Sequence, residues 1–151
     1  MANARGQARA AMAELRDLVR GIGPSILHDR GLDAALTALV TGRSPPVDLR
    51  VDLPPTEVGA RETAAYFVAA EALANARKHA GASRISMRVW EDPGVRLVVE
   101  VVDDGVGGAD PDAGSGLTGL RKRVAALDGT LTVTSPSGGP TIVRAELPCA
   151  W

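Results

Sequence analysis

A chain of 151 residues, 45% hydrophobic and 23% charged, is long enough to bury one core and too apolar to remain disordered. Its formal net charge of −1 and aromatic content of 3% remove both the pull toward phosphate backbones and the platforms for base stacking, so nucleic acid is not an expected partner. The single cysteine, Cys149, excludes an internal disulfide and a thiolate metal site, which is compatible with a reducing compartment. No apolar run approaches the roughly 20 residues that span a bilayer, and the N-terminus lacks a charged segment followed by an apolar signal core. A cytoplasmic segment without membrane contact is the expectation, whether or not a longer protein is membrane-anchored.

From Ala4 to Ile22 the chain is rich in Ala, Arg, Glu and Leu, and Ala8, Met12, Leu15, Val19 and Ile22 recur at helical spacing. This narrow seam needs a second helix or a second chain to pack on, so a homodimer and a fold-back are equally compatible with it. Gly21, Gly23 and Pro24 stop the helix. Ser25 to Arg43 reads as a turn containing His28, followed by a helix with Leu32, Ala35, Leu36 and Leu39 on its apolar face. Ser44, Pro45 and Pro46 form a linker, which places a boundary between a helical segment, 1–43, and a main domain, 44–151.

Val47, Leu49, Val51 and Leu53 alternate with polar residues, as in a half-buried strand. The next helix runs to about Ala80 with Thr56 as its expected cap, and Ala65, Val68, Ala69, Ala72, Leu73 and Ala76 form its core stripe. Glu71, Asn75 and Lys78, spaced by four and three, project from one side beside that stripe. A solvated salt-bridge face is the plainer reading of such charges. Asn75 departs from it, because Asn is a poor helix-interior residue that usually serves a specific hydrogen bond or ligand.

Ile85, Met87 and Val89 form a strand closed by a turn at Asp92, Pro93 and Gly94. The following strand, from Val95 to Val102, ends in a near-continuous apolar stretch that predicts burial on both faces. A short helix from about Leu117 to Leu127 turns Leu120, Val124 and Leu127 inward. A closing hairpin places Leu131 and Val133 opposite Ile142, Val143, Ala145 and Leu147. The expected fold class is α+β: a two-layer sandwich in which helices cover one mixed or mostly antiparallel sheet, with an N-terminal helical extension.

Two glycine clusters interrupt this pattern. Asp103, Gly105 and Gly107 follow a buried strand as Asp-x-Gly-x-Gly, where the absence of Cβ atoms lets a flat ligand approach the main chain. A carboxylate there only accepts hydrogen bonds, which suits the exocyclic amine of adenine and repels the guanine carbonyl. Gly114, Gly116 and Gly119 open the next helix, whose free N–H groups favour phosphate. Turn chemistry alone explains either cluster taken singly. Neither a Gly-x-x-x-x-Gly-Lys-Ser/Thr loop nor a Gly-x-Gly-x-x-Gly helix opening after the first strand is present.

EALANARKHA at 71–80, DDGVGG at 103–108 and GSGLTGLRKRV at 114–124, closed by GGPTIVRAELP at 138–148, resemble in order the ATP-binding domain of sensor histidine kinases. The resemblance spans roughly Val47 to Pro148 and is nearest to the subfamily that partners NarL-type response regulators. It implies the Bergerat fold shared with gyrase and MutL, with ATP and Mg²⁺ as cofactors. ELRDLVRGIGPSIL also resembles that subfamily's last dimerisation helix and exit turn. By position, the resemblance makes Asn75 the Mg²⁺ ligand, sets Glu71 near the metal and its water, and brings Lys78 to the phosphates. His79 becomes a site neighbour without an assigned role. Asp103 reads the adenine amine, Gly105 and Gly107 shape its pocket, and Gly107 helps hold a water. Gly114, Gly116, Leu117 and Gly119 bound a small lid and offer backbone donors to phosphate, while Thr141 places a hydroxyl near adenine.

What the resemblance implies is transfer of the ATP γ-phosphoryl to a His on a dimerisation domain, then to a response-regulator Asp. No phosphoacceptor His sits in a dimerisation helix here, since His28 lies in the exit turn and His79 in the Asn-bearing motif. An anti-sigma-factor-like Ser kinase of the same superfamily, or a nucleotide-binding interaction module without catalysis, are the other functions compatible with these motifs.

Overall fold

The computed structural model describes residues 24–42, 44–54, 58–79, 81–92, 95–108 and 115–148. The expected N-terminal helix, the Thr56 cap, Gly114, Cys149 and the segment between the two glycine clusters lie outside the described residues.

Nine described elements follow one another: α1 (Ser25–Arg30), α2 (Leu32–Val40), β1 (Val47–Asp52), α3 (Ala60–His79), β2 (Ile85–Asp92), β3 (Arg96–Asp103), α4 (Ser115–Ala126), β4 (Thr130–Thr134) and β5 (Thr141–Pro148). The strands form one sheet in the order β1-β2-β3-β5-β4, with β1 parallel to β2 and every other pair antiparallel. A parallel pair requires a crossover, and α3 supplies it. The α+β class with a mixed sheet is therefore the observed architecture.

Register explains which side chains meet. Val51, Val89, Val99 and Ala145 align across four strands, as do Leu49, Met87, Val101 and Val143, and this face carries the core. The helices pack on that same face: α2 near β1, α3 chiefly over β3, and α4 against α3 and β4. Ala64, Ala65, Ala69, Ala72 and Ala76 are buried along α3 and let it approach the sheet closely, with Val68 and Leu73 filling the remaining space. All six residues of the expected stripe are among the buried ones.

Two expectations shift, one for His28 and one for the inward face of α4. His28 belongs to α1 rather than to a turn, and Leu27 beside it is fully buried. Residues on both sides of the expected boundary at 43/44 share one core, because Leu27, Leu32, Ala35 and Leu36 cluster with α3 and the sheet. Each of the three leucines contributes about 1.5–3 kcal/mol on burial. On α4, Val124 is fully buried and Leu117 nearly so, whereas Leu120 and Leu127 are only half-buried against the core.

Double-sided burial of β3 occurs at mid-strand rather than at its end. Val98 is fully buried on the face that no described helix covers, while Val102 is half-buried. Trp90, the register partner of Val98, shields it. The Arg88 and Arg144 guanidiniums lie 5.2 and 5.3 Å from the Trp90 ring, and Arg144 also pairs with Glu100 at 3.1 Å. Among the described residues, long amphipathic side chains cover this face of the sheet. No described helix is long and apolar enough to cross a membrane.

Candidate functional site

The start of α3 is set by Glu62, whose Oε1 accepts the Gly59 N–H at 2.8 Å, the return half of a capping box. The helix then runs twenty residues and ends at His79, with Gly81 just beyond in the left-handed region at φ 59°. Glu71 and Asn75 are half-buried on this helix and Lys78 is exposed. Their spacing keeps them on one side, along the half of α3 that leads toward His79.

That half is tied to the end of β3 by a residue that the motif reading passed over. Asp104 accepts the Ser83 N–H at 2.8 Å, the Ser83 hydroxyl at 2.6 Å and the Arg84 N–H at 2.9 Å. The Ser83 hydroxyl above all, then the Arg84 amide, hold the Asp104 carboxyl below its ordinary value even though it is exposed. An acidic residue directly after a strand-ending Asp was the available signal. Its partners lie about twenty residues upstream in a polar loop, so spacing alone did not reveal the pairing.

Asp103 has the opposite environment. It is 5% exposed and its Oδ1 accepts the Gly105 N–H at 2.9 Å, which folds the chain into a tight turn and leaves Oδ2 for a ligand. Thr141 is its register partner on β5 and is also buried. The Thr141 and Ser135 hydroxyls share a hydrogen bond at 2.6 Å. A buried acceptor and a buried hydroxyl therefore stand side by side at one end of the sheet, and Ser135 joins them unannounced by any motif.

The Gly105–Gly108 loop rests on the turn between β4 and β5. Gly108 N–H donates to Ser135 O at 3.0 Å and Gly138 N–H to Val106 O at 2.8 Å. Gly107 has φ 67°, and a Cβ on it would strike Pro136 O and come within 2.5 Å of Gly139 N. Gly107 is thus demanded by backbone contact between two loops.

The second cluster meets α3. Gly116 lies in the first turn of α4, not before it, and the space a Cβ would take there is filled by the Glu71 carboxylate. Gly119, also on α4, has nothing within 4 Å of its Cβ position, and Leu117 is buried. The fold thus gathers Asp103, Gly105, Gly107 and Thr141 into one group and Glu71 with Gly116 into another. Because Asp104 binds the loop after α3, the His79 end of α3 and the Asp103 end of β3 lie at the same end of the domain. A cavity of about 590 Å³ opens beside Asp103, Asp104, Arg84, Pro46 and Pro140, and of the expected site residues only Asp103 lines it.

The half-buried Asn75 offers an amide oxygen that suits a hard cation, one helical turn from the half-buried Glu71 carboxylate. Among the described residues no group of three or more His, Cys, Asp and Glu could hold a metal by itself. Such a donor set fits Mg²⁺, which commonly takes one or two protein oxygens and completes its shell with phosphates and water.

Comparison with known proteins gives the family of the chain. The sensor histidine kinase MctS of Rhizobium johnstonii is 35% identical over 144 residues, which is 87% of this chain and 31% of that protein. The signal transduction histidine-protein kinase/phosphatase UhpB of Salmonella typhimurium is 34% identical over 143 residues, covering 89% of this chain and 28% of that protein. The chain thus spans about a third of the length of these relatives. Among solved structures, the histidine kinase domain of the blue-light activated kinase from Erythrobacter litoralis EL346 superimposes with a TM-score of 0.59 at 27% identity, over 79% of this chain and 61% of that one. Residues 60–150 match the family of histidine kinase-, DNA gyrase B-, and HSP90-like ATPases. The chain belongs to this family and is one of its ATP-binding domains.

Proposed function

We propose that this chain is the catalytic part of a sensor histidine kinase: it binds ATP with Mg²⁺ and presents the γ-phosphoryl to a His on a dimerisation domain, from which it passes to an Asp of a NarL-type response regulator. The observation that carries the reading is the buried Asp103 carboxylate, with one oxygen bonded to Gly105 and the Thr141 hydroxyl beside it, in a domain of the ATPase family. Oδ2 of Asp103 would accept the adenine amine, and the Ser135-anchored Thr141 hydroxyl would complete the base site with a bound water near Gly107. Gly105 keeps that pocket open by carrying no side chain.

Asn75 would hold the metal through its amide oxygen, and Glu71 would face the water or attacking group beside it. Mg²⁺, when bound, supplies neutralisation of the charge between the phosphates. Lys78 is free to swing toward those phosphates because it is exposed. The backbone around Gly114, Gly116, Leu117 and Gly119 would donate to phosphate oxygens, with His79 as a neighbour of the site. Catalysis in this scheme is positioning plus charge neutralisation, since phosphoryl transfer asks little covalent chemistry of the protein. The compact ATP-binding unit would extend back to about Pro24, and residues before it would belong with the dimerisation helix. The NarL-type assignment is supported by the Glu-Ala-x-x-Asn-x-x-Lys-His-Ala pattern at 71–80.

The test supplies a dimerisation domain with labelled ATP. Acid-labile phosphate on its His is the expected product, and acid-stable phosphate on a Ser of a partner would replace this reading with a Ser kinase. Asn75→Ala should reduce transfer far more than it reduces nucleotide affinity, because it removes a metal ligand and leaves the base site intact.

A further inference from the structure

Glu71 lies midway along α3 and Gly116 in the first turn of α4, and no sequence pattern relates them. In the folded chain a methyl group on Gly116 would overlap Glu71 Oε1, with Cδ at 2.5 Å and Cγ at 3.2 Å. Gly116 is not among the residues with positive φ, so its backbone would accept any side chain. Gly also weakens a helix relative to Ala. The local structure therefore gives no reason for glycine at 116, and the Glu71 carboxylate gives one.

We propose that Gly116 is a positioning residue for Glu71: its missing side chain lets the carboxylate stand against the first turn of α4, and the position of that turn sets where the carboxylate points. This rests on the reading of Glu71 as a group at the reacting end of the nucleotide. It assigns Gly116 a duty apart from donating its backbone to phosphate. The free N–H groups of a helix's first turn favour a nearby carboxylate, which adds an electrostatic reason for Glu71 to remain there. The obstruction that a methyl group would meet is the far end of a flexible side chain. Gly116→Ala therefore relocates Glu71 without disturbing the core, and its cost falls on the reaction rather than on the fold.

The experiment is a double-mutant cycle on this chain, supplied with a dimerisation domain as phosphoryl acceptor: Gly116→Ala, Glu71→Ala and the pair together. Gly116→Ala keeps its backbone N–H, should melt no lower than wild type, and should lose far less affinity for a non-hydrolysable ATP analogue than it loses in transfer rate. Its transfer rate should fall on the order of 100-fold, the scale of an ångström-sized misplacement. Added to Glu71→Ala, it should cost nothing further, because the space a methyl needs is then empty. Equal damage in both backgrounds, or a loss of analogue affinity from Gly116→Ala as large as its loss of transfer, would mean that Gly116 serves only close approach of the phosphates, and would overturn the proposal. A nuclear Overhauser contact between the Glu71 γ-protons and the Gly116 α-protons in the nucleotide-free chain is a second requirement, and its absence would also overturn it. Failure of the wild-type chain to bind the analogue would instead count against the nucleotide reading, since the Overhauser contact is measured without nucleotide.

Discussion

Asp103 and Asp104 are adjacent in the chain, yet the first is buried with one oxygen bonded to Gly105 and the second is exposed and accepts three hydrogen bonds from Ser83 and Arg84. Strand alternation produces this division: Asp103 is the last residue of β3 on the core face, and Asp104 is the first beyond it. Two carboxylates side by side therefore have separate duties, one open toward a ligand and one tying two loops together.

Asp103→Asn should leave the turn intact, because an amide oxygen can still accept the Gly105 N–H. The nitrogen it places where Oδ2 stood is a donor facing the adenine amine. A loss of about 1–3 kcal/mol in binding of an ATP analogue is expected, with little change in melting temperature. Calorimetric titration checks it, and unchanged affinity would show that the base lies elsewhere.

Asp104 bears on acid stability. Its carboxyl is held below its ordinary value by Ser83 and Arg84, so the folded form binds its proton less readily than the unfolded chain does. The stability it contributes is fully present above the unfolded value, about pH 4, and is lost as pH falls through the lower folded value. Melting temperatures across pH 2–6 should show a shallower acid decline for Asp104→Asn than for the wild-type chain.

Glycines in the two clusters should differ sharply when each is replaced by Ala. Gly107 has φ 67° and its Cβ would strike the backbone of Pro136, so Gly107→Ala should cost at least about 1–2 kcal/mol of stability. Gly119 is helical with open space around it, and Gly119→Ala should stabilise by about 1 kcal/mol. If the Gly119 backbone approaches phosphate, the same variant loses nucleotide affinity while it gains stability. Thermal melts paired with analogue titrations separate the two effects.

Trp90 tests the far face. It covers Val98 between two guanidiniums, each interaction being worth about 0.5–1 kcal/mol at a partly exposed site. Trp90→Ala should therefore destabilise by at least about 1 kcal/mol, read in chemical denaturation, and leave ATP-analogue affinity near wild type because the described helices and Asp103 lie on the other face.

Much of this was legible in the residues. Period-two alternation from Val47 to Asp52 and from Ile85 to Val89 marks strands because one face of each is buried. The Ala-rich stripe from Ala65 to Ala76 marks α3 for the same reason. Asp103 with its following glycines could be read as a ligand turn because a strand end, a carboxylate and an absent Cβ are all local features. The order of the helices and hairpins also follows from local signals.

What only the tertiary structure decided are the pairings between residues far apart in the chain. Insertion of β5 between β3 and β4 brings Thr141 beside Asp103, and no spacing encodes it. Burial of Leu27 and Leu36 in the common core carries that core back across the Pro45–Pro46 break, which composition had marked as a boundary. The Asp104 bonds to Ser83 depend on how the end of β3 meets the loop after α3, and the contact of Glu71 with Gly116 on how the start of α4 meets the middle of α3. Local periodicity states which side of an element is buried, but it carries no information about the partner it is buried against. For that reason the elements were readable one by one, and the geometry that joins Glu71 to Gly116 and Thr141 to Asp103 was not.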